Sequence, residues 1–318
     1  MRMMTTAAIA AILAGATIAA QSVPEIAFTA IDLLRTPTEG PFVGEVAGVG
    51  ANSRGQIFVY TRTGHPYATL GDNRTFSRGG SKLFLFDAKG NFVREWGQDV
   101  YGFNAAIGLR VDPQDNVWTI DVAANQVVKF NADGSVGLVL GRKPETIAVR
   151  PNAPAAPAGA TGAAGAAGGG GQAAAKLPPG SGTPGSGFNR PTDVAWDKSG
   201  NIYVADGIGT NNRIAKFDKD GRFITQWGST GSAPGQFSGV KAIALDAQGH
   251  VYAADSGNKR IQVFDGEGKF LREFASIGTP LAMCITRATT QHLYISHAGD
   301  QDGMDDAAIY KVQLDGRV

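Results

Sequence analysis

Four side chains have types that suit a polar binding pocket. Arg62 and His65 stand together in "RTGH", Asp193 follows "RPT", and Lys241 follows "SGV". Two cations, an imidazole and a carboxylate make a mixed-charge set fitted to an anionic or polyhydroxyl ligand. The other candidates are weaker. The chain has four histidines. His250 falls in a turn segment and His292 at the start of an apolar alternation, both surface positions. His297 precedes "DQDGMDD", Asp300 to Asp306, with four carboxylates and a Gly. Calcium would need more: the helix–loop–helix spacing and terminal Glu of a calcium loop are missing, so a solvated acidic loop is expected. Asp121, Asp206 and Asp255 close alternating segments, and Arg213 and Arg260 open the segments after the last two. An Arg fork pairing with such a carboxylate is expected to hold scaffold rather than substrate. The single cysteine, Cys284 in "LAMCIT", reads as a buried small hydrophobe.

The elements that must position these groups repeat. "PTDVAWDKSGNIYVADGIGTNNRIAKFDKDGRFITQWG" from Pro191 aligns with "GVKAIALDAQGHVYAADSGNKRIQVFDGEGKFLREFA" from Gly239, and Asp206 and Asp255 stand 49 residues apart at equivalent places. Each copy reads as four short strands with period-two alternation, joined by Gly-bearing turns. Looser copies start near Val46, Ala106 and Pro280. The units span about 46–97, 106–141, 191–228, 239–275 and 280–318. Four-stranded antiparallel units at this period, none able to bury both faces alone, predict an all-β fold, a β-propeller. The last copy stops at "KVQLDGRV", where its fourth strand is due, so a six-bladed type with five blades present and the sixth truncated is expected. The competing reading is a five-bladed ring closed by a strand from "IAFTAIDLLRTPTEG", starting at Ile26. In either ring, inner strands begin at the mouth of a central channel, and Arg62, His65, Asp193 and Lys241 are expected to face it. Trp96 and Trp227, at fourth-strand ends, are expected to pack between blades.

Bulk properties exclude some functions. A net charge of +1 with no run of Lys or Arg argues against nucleic-acid binding. "MRMM", the apolar run Ala7 to Ala20 and the small residues after it read as a signal peptide, residues 1–20, cleaved near Ala20. The run is shorter than the ~20 residues a membrane span needs. A secreted or periplasmic protein, without a membrane span and monomeric, is expected. Residues 143–187 are Ala, Gly and Pro with few large apolar groups, and are expected to be a disordered insertion.

"GNIYVAD" with "NNRIAKF", and "GHVYAAD" with "NKRIQVF", resemble the strand pairs of NHL repeats. Over Val46 to Val318 the order "YTRTGH", "VWTIDVAANQVVKF", "LGR", "RPTDVAWD", "ITQWG" and "PGQFSGVKAIALD" is similar to the lyase domain of peptidylglycine α-amidating enzymes. That resemblance implies a zinc-assisted cleavage of peptidyl-α-hydroxyglycine to amide and glyoxylate. It places two of the family's zinc histidines at Ile107 and Lys241 and the last in the expected sixth unit, its catalytic Tyr at Ile208 and one Arg at Ser256; only Arg62 matches. Ile107 offers no donor and Lys241 would bring a positive charge. The expectation is therefore a ligand- or protein-binding module without cofactor, its small ligand, peptide or protein partner held at the channel mouth. The alternative is a lyase or hydrolase using Arg62, with zinc or calcium.

Overall fold

The computed structural model describes residues 26–27, 29–36, 43–62, 67–70, 74–77, 80–142, 148–149, 187–208, 210–275, 277–298 and 308–317. Two units are distinguished, Met1–Asp32 and Leu33–Val318. In the first, the described residues are exposed and form neither helix nor strand. The second unit holds all the strands.

Four four-stranded antiparallel sheets and a three-stranded one follow each other along the chain. The first blade joins β1 (Glu45–Ala51), β2 (Ile57–Arg62), β5 (Ser81–Phe86) and β6 (Phe92–Trp96), with the hairpin β3 (Tyr67–Leu70) and β4 (Arg74–Ser77) between β2 and β5. The second contains β7 (Ala106–Val111), β8 (Val117–Asp121), β9 (Gln126–Phe130) and β10 (Val136–Gly141). After β11 (Ala148–Val149), the third contains β12 (Asp193–Trp196), β13 (Ile202–Asp206), β14 (Arg213–Phe217) and β15 (Phe223–Trp227). The fourth contains β16 (Val240–Leu245), β17 (Val251–Asp255), β18 (Arg260–Phe264) and β19 (Phe270–Ala275). The fifth has β20 (Thr279–Ile285), β21 (His292–Ala298) and β22 (Ala308–Gln313) among the described residues.

Inner strands pack successively in the order β1, β7, β12, β16, β20, and no comparable packing returns from β20 to β1 among the described residues. The protein is a β-propeller with five blades of a six-bladed type. The apolar side chains flanking the open place agree: Val46 and Val49 on β1, and Leu281 and Ile309 on β20 and β22, are exposed.

Arg35, in the stretch that would supply a ring-closing strand, pairs with the first blade instead. Arg35 makes a parallel bridge to Asn91, and its N–H donates to the Gly90 carbonyl at 2.7 Å. It thus lies on the outer hairpin of the first blade. Two further expectations change. The pair Ala148–Val149, inside the stretch expected to be disordered, is paired with β4, Ala148 opposite Thr75; the rest of 143–187, apart from Gly187, lies outside the described residues. Cys284 is exposed. Met283 beside it packs toward the fourth blade, so by alternation Cys284 faces away, where no described blade covers it.

Local chemistry explains the tight turns. In "DKSG", the Asp197 Oδ1 accepts from the N–H groups of Ser199 and Asn201 at 2.9 Å each, while the Gly200 N–H donates to the Asp197 carbonyl at 3.1 Å. The same device recurs at Asp87, Asp218, Asp246 and Asp265. Such turns join first to second and third to fourth strands, so they all lie on one face of the propeller. Accepting backbone N–H bonds favours the ionised carboxylate. The Lys269 N–H, against a small opposing effect of burial and with help from Glu267, holds Asp265 below its ordinary value. A depressed folded-state value means stability present above the unfolded value, near 4, and lost as pH falls through the folded one. The Asp265→Asn variant is therefore expected to lose stability less steeply below about pH 4. Urea unfolding at pH 7 and pH 3 measures this; equal slopes would remove the effect.

Blades adhere through aromatic and aliphatic clusters. Trp96, at the end of β6, packs on Phe58 and Phe130, and Trp227, at the end of β15, on Tyr203 and Phe264. Each such ring sits beneath the turn glycine of the following blade, as Trp227 does under Gly268. Fully burying a ring of this kind contributes about 1.5–3 kcal/mol. No helix among the described residues is long and apolar enough to cross a membrane.

Candidate functional site at the channel mouth

Because the short turns occupy one face, the longer connections leave from the other. There the second strands end, at Arg62, Asp121, Asp206 and Asp255, and the inner strands begin. Three of these end residues form latches. The Asp121 Oδ2 accepts from the N–H of Asn104 at 2.7 Å and of Ala105 at 2.6 Å, and its Oδ1 from that of Ala124 at 2.8 Å. Asp206 accepts from the Asn189 N–H at 2.8 Å and from the Arg213 Nε at 3.0 Å. Asp255 accepts from the Ser238 N–H at 2.7 Å and from the Arg260 Nε at 2.8 Å. Each carboxylate thus pins the segment that enters its own blade. Burial pushes Asp121 and Asp206 above the ordinary carboxylate value, against the pull of these donors. The Asp–Arg pairs are scaffold, and they fix where the channel rim lies.

Below the rim the channel has a charged floor. Arg110 reaches from β7 to Asp193 on β12, with Nε to Oδ1 at 2.8 Å and Nη2 to Oδ2 at 2.5 Å. The same Nη2 donates to the Met283 carbonyl of β20 at 3.0 Å, and the Asp193 Oδ2 accepts from the Ile243 N–H of β16 at 3.0 Å. Four blades meet in this one bidentate pair. Burial opposes the charge on Arg110, and the Asp193 carboxylate overrides it, holding the guanidinium above its usual value. Asp193, expected to offer its carboxylate to a ligand, spends it on the floor.

The inner strands begin irregularly. Register shifts between Val46 and Gly48, Ala106 and Gly108, Val240 and Ile243, and Pro280 and Ala282 mark bulges at the rim. A bulge re-aims the side chain it carries. Ala47, Ile107 and Leu281 are single bulged residues, and Lys241 lies in the fourth such bulge. Ile107 packs against the cluster of Trp118, Ile120 and Val194. Lys241 is half-buried and makes no hydrogen bond or ion pair with any described residue. Burial, and then the charge of Arg190, push its ammonium below the ordinary lysine value.

Arg62 lies elsewhere on the rim, paired with Glu45 at 2.7 Å, and its Nε is buried without a partner among the described residues. His65 lies outside the described residues, as does Asp300 to Asp306. His297 is buried and stacked on Tyr310 at 5.0 Å. Ile208 is half-buried, and the Ser256 hydroxyl donates to the Pro280 carbonyl. Sequence reasoning missed Arg110 and Arg190. Arg110 had a usable signal, a single charge inside the apolar first strand "AIGLRV".

Zinc does not fit this rim: one expected ligand position carries a hydrocarbon packed into the core, the other a cation. Among the described residues no group of three His, Cys, Asp or Glu side chains is arranged to hold a metal.

A family model described as a 6-bladed beta-propeller matches residues 188–305. The chain is 31% identical over 240 residues to mouse (Mus musculus) peptidyl-glycine alpha-amidating monooxygenase, a match covering 70% of this chain and 21% of that protein. It is 26% identical over 183 residues to mouse NHL repeat-containing protein 3, covering 56% and 43%. The chain therefore spans about a fifth of the first relative and under half of the second. A solved streptogramin B lyase structure is alike in fold, with TM-score 0.50 and 12% identity over 85% of this chain and 69% of that one. The chain is a β-propeller distantly related to both amidating-lyase-like and NHL-repeat proteins.

Proposed function

We propose that this propeller is a binding module whose ligand sits in the channel mouth, not an amidating lyase. The carrying observation is the floored channel. The Arg110–Asp193 pair ties the inner strands of four blades together across the channel and leaves its own two charges neutralised there. The edge carries the Lys241 ammonium, half-buried and without a hydrogen-bond or ion-pair partner among the described residues. Unpaired polar groups at a concave mouth are the usual means of fixing a ligand. The amidating enzyme among its relatives suggests the competing activity, and the substitutions at Ile107 and Lys241 speak against it. The apolar run Ala7 to Ala20 supports action after export, in the periplasm or outside the cell.

Two measurements test this reading. Incubation with N-benzoyl-α-hydroxyglycine is expected to release no glyoxylate above the uncatalysed rate; turnover would reverse the assignment. Hydrogen–deuterium exchange with N-acetylglycine, or with inorganic phosphate, is expected to protect 187–193 and 238–243 at the mouth. Protection confined to the turns 218–222 and 265–269 would place the ligand on the wrong face.

A further inference from the structure

The rim between the third and fourth blades holds two cations that no described residue neutralises. Arg190 precedes β12 and Lys241 belongs to the start of β16. The two strand entries are tied, the Thr192 Oγ1 donating to the Val240 carbonyl at 2.8 Å. Both cations thus stand within two residues of one hydrogen bond. Neither side chain has a hydrogen-bond or ion-pair partner among the described residues, although the latches nearby pair every arginine they contain.

Arg190 is also held in an unusual way. Its φ is 65°, in the left-handed region that a residue with a Cβ seldom adopts. Its N–H donates to the Asn125 Oδ1 at 2.8 Å, and the neighbouring Asn189 N–H donates to Asp206 at 2.8 Å. Two blades therefore fix the backbone of the residue whose guanidinium is left exposed. Backbone strain of this kind concentrates where a side chain has to be aimed. Lys241 is half-buried on a bulge, near enough for the Arg190 charge to act on it.

We propose that Lys241 and Arg190 form an oxyanion-binding site on the channel rim, taking a carboxylate or a phosphate from a small ligand. The inference rests on the channel-mouth reading above and names its chemistry. Arg supplies a planar fork of N–H donors and Lys a compact ammonium, and charge-assisted bonds to oxyanions are the strong ones. Asp193 does not compete, because Arg110 and the Ile243 N–H occupy it.

The test compares N-acetylglycine, N-acetylglycine amide and inorganic phosphate by isothermal titration at low salt. The acid or phosphate is expected to bind and the amide not to; whichever anion binds more tightly identifies the source of the oxyanion. Lys241→Met and Arg190→Gly are each expected to weaken that binding about 10–100-fold, the worth of one charge-assisted hydrogen bond. Both variants should stay folded with an equal or higher Tm. Folding disfavours the Lys241 charge, a cost fully present below its depressed pKa and gone only above the ordinary lysine value, so at neutral pH Met removes the cost. Gly accepts the φ of Arg190 without strain. Equal affinity of wild type and both variants, or absence of anion binding by the folded wild type, overturns the oxyanion site. Protection of the mouth by the amide as strongly as by the acid would overturn it too, while leaving the channel-mouth reading standing.

Discussion

Replacing Asp206 by Ala is expected to lower the unfolding free energy at pH 7 by about 3–5 kcal/mol, the cost of stranding a buried charge. Arg213 is 1% exposed and Asp206 fully buried. Once the carboxylate is gone, the acceptors that the guanidinium keeps include the Gly187 carbonyl and the Gln226 amide oxygen, uncharged groups that do not replace the Asp206 charge. The Asn189 N–H and the Asn211 Nδ2 lose their acceptor as well. The converse also holds. Burial already pushes Asp206 upward, so the pair is not a large net gain over apolar groups of the same volume. A double variant, Asp206→Leu with Arg213→Met, should then recover much of the loss. Chemical denaturation of the four proteins in a double-mutant cycle gives the coupling directly. A single-variant loss under about 1 kcal/mol would mean that the pair is wet and ordinary. A functional readout follows. Asp206 holds Asn189, the neighbour of Arg190, so Asp206→Ala should also weaken oxyanion binding.

This latch was legible in the sequence, and the floor was not, for a physical reason. Asp206 and Arg213 are seven residues apart at the two ends of one strand-to-strand connection, so chain geometry alone brings them together. The Asp-x-x-Gly turns are equally local: a carboxylate and the N–H groups two and four residues later. Arg110 and Asp193 are 83 residues apart and meet only because neighbouring blades bring their inner strands side by side. Asp193 could therefore be placed at the channel from the repeat, while its partner could not. Arg190 was invisible because its positive φ comes from Asn125 and Asp206 on different blades. Cys284 was misread because an apolar run says that one face of a strand is covered, and alternation leaves the other to whatever the next blade provides. The pairing of β11 with β4 joins segments from different units, beyond the reach of any local rule.

The blade-to-blade packing makes the second large prediction. Gly268→Ala is expected to destabilise by about 2–5 kcal/mol, combining ~1–2 for a left-handed residue with ~1–3 for overpacking. Gly268 has φ 89° in the turn after β18, and a Cβ there would stand 2.5 Å from the Trp227 Cδ2 and 2.7 Å from its Cε3. That indole is held between Tyr203 and Phe264, with ring centroids at 6.2 and 6.0 Å, and has little room to retreat. Gly249 supplies the matched control. Its φ is 88°, nearly the same, and nothing lies within 4 Å of its would-be Cβ. Gly249→Ala should therefore show only the backbone cost, about 1–2 kcal/mol. The difference between the two variants isolates the contact of one blade's turn with the previous blade's ring. Trp227→Leu combined with Gly268→Ala should narrow that difference, since the smaller side chain leaves space for the methyl group. Equal losses from Gly268→Ala and Gly249→Ala in urea unfolding would mean that the ring does not bear on the turn. The blades would then be held together by the latches and the channel floor rather than by the apolar seam between them.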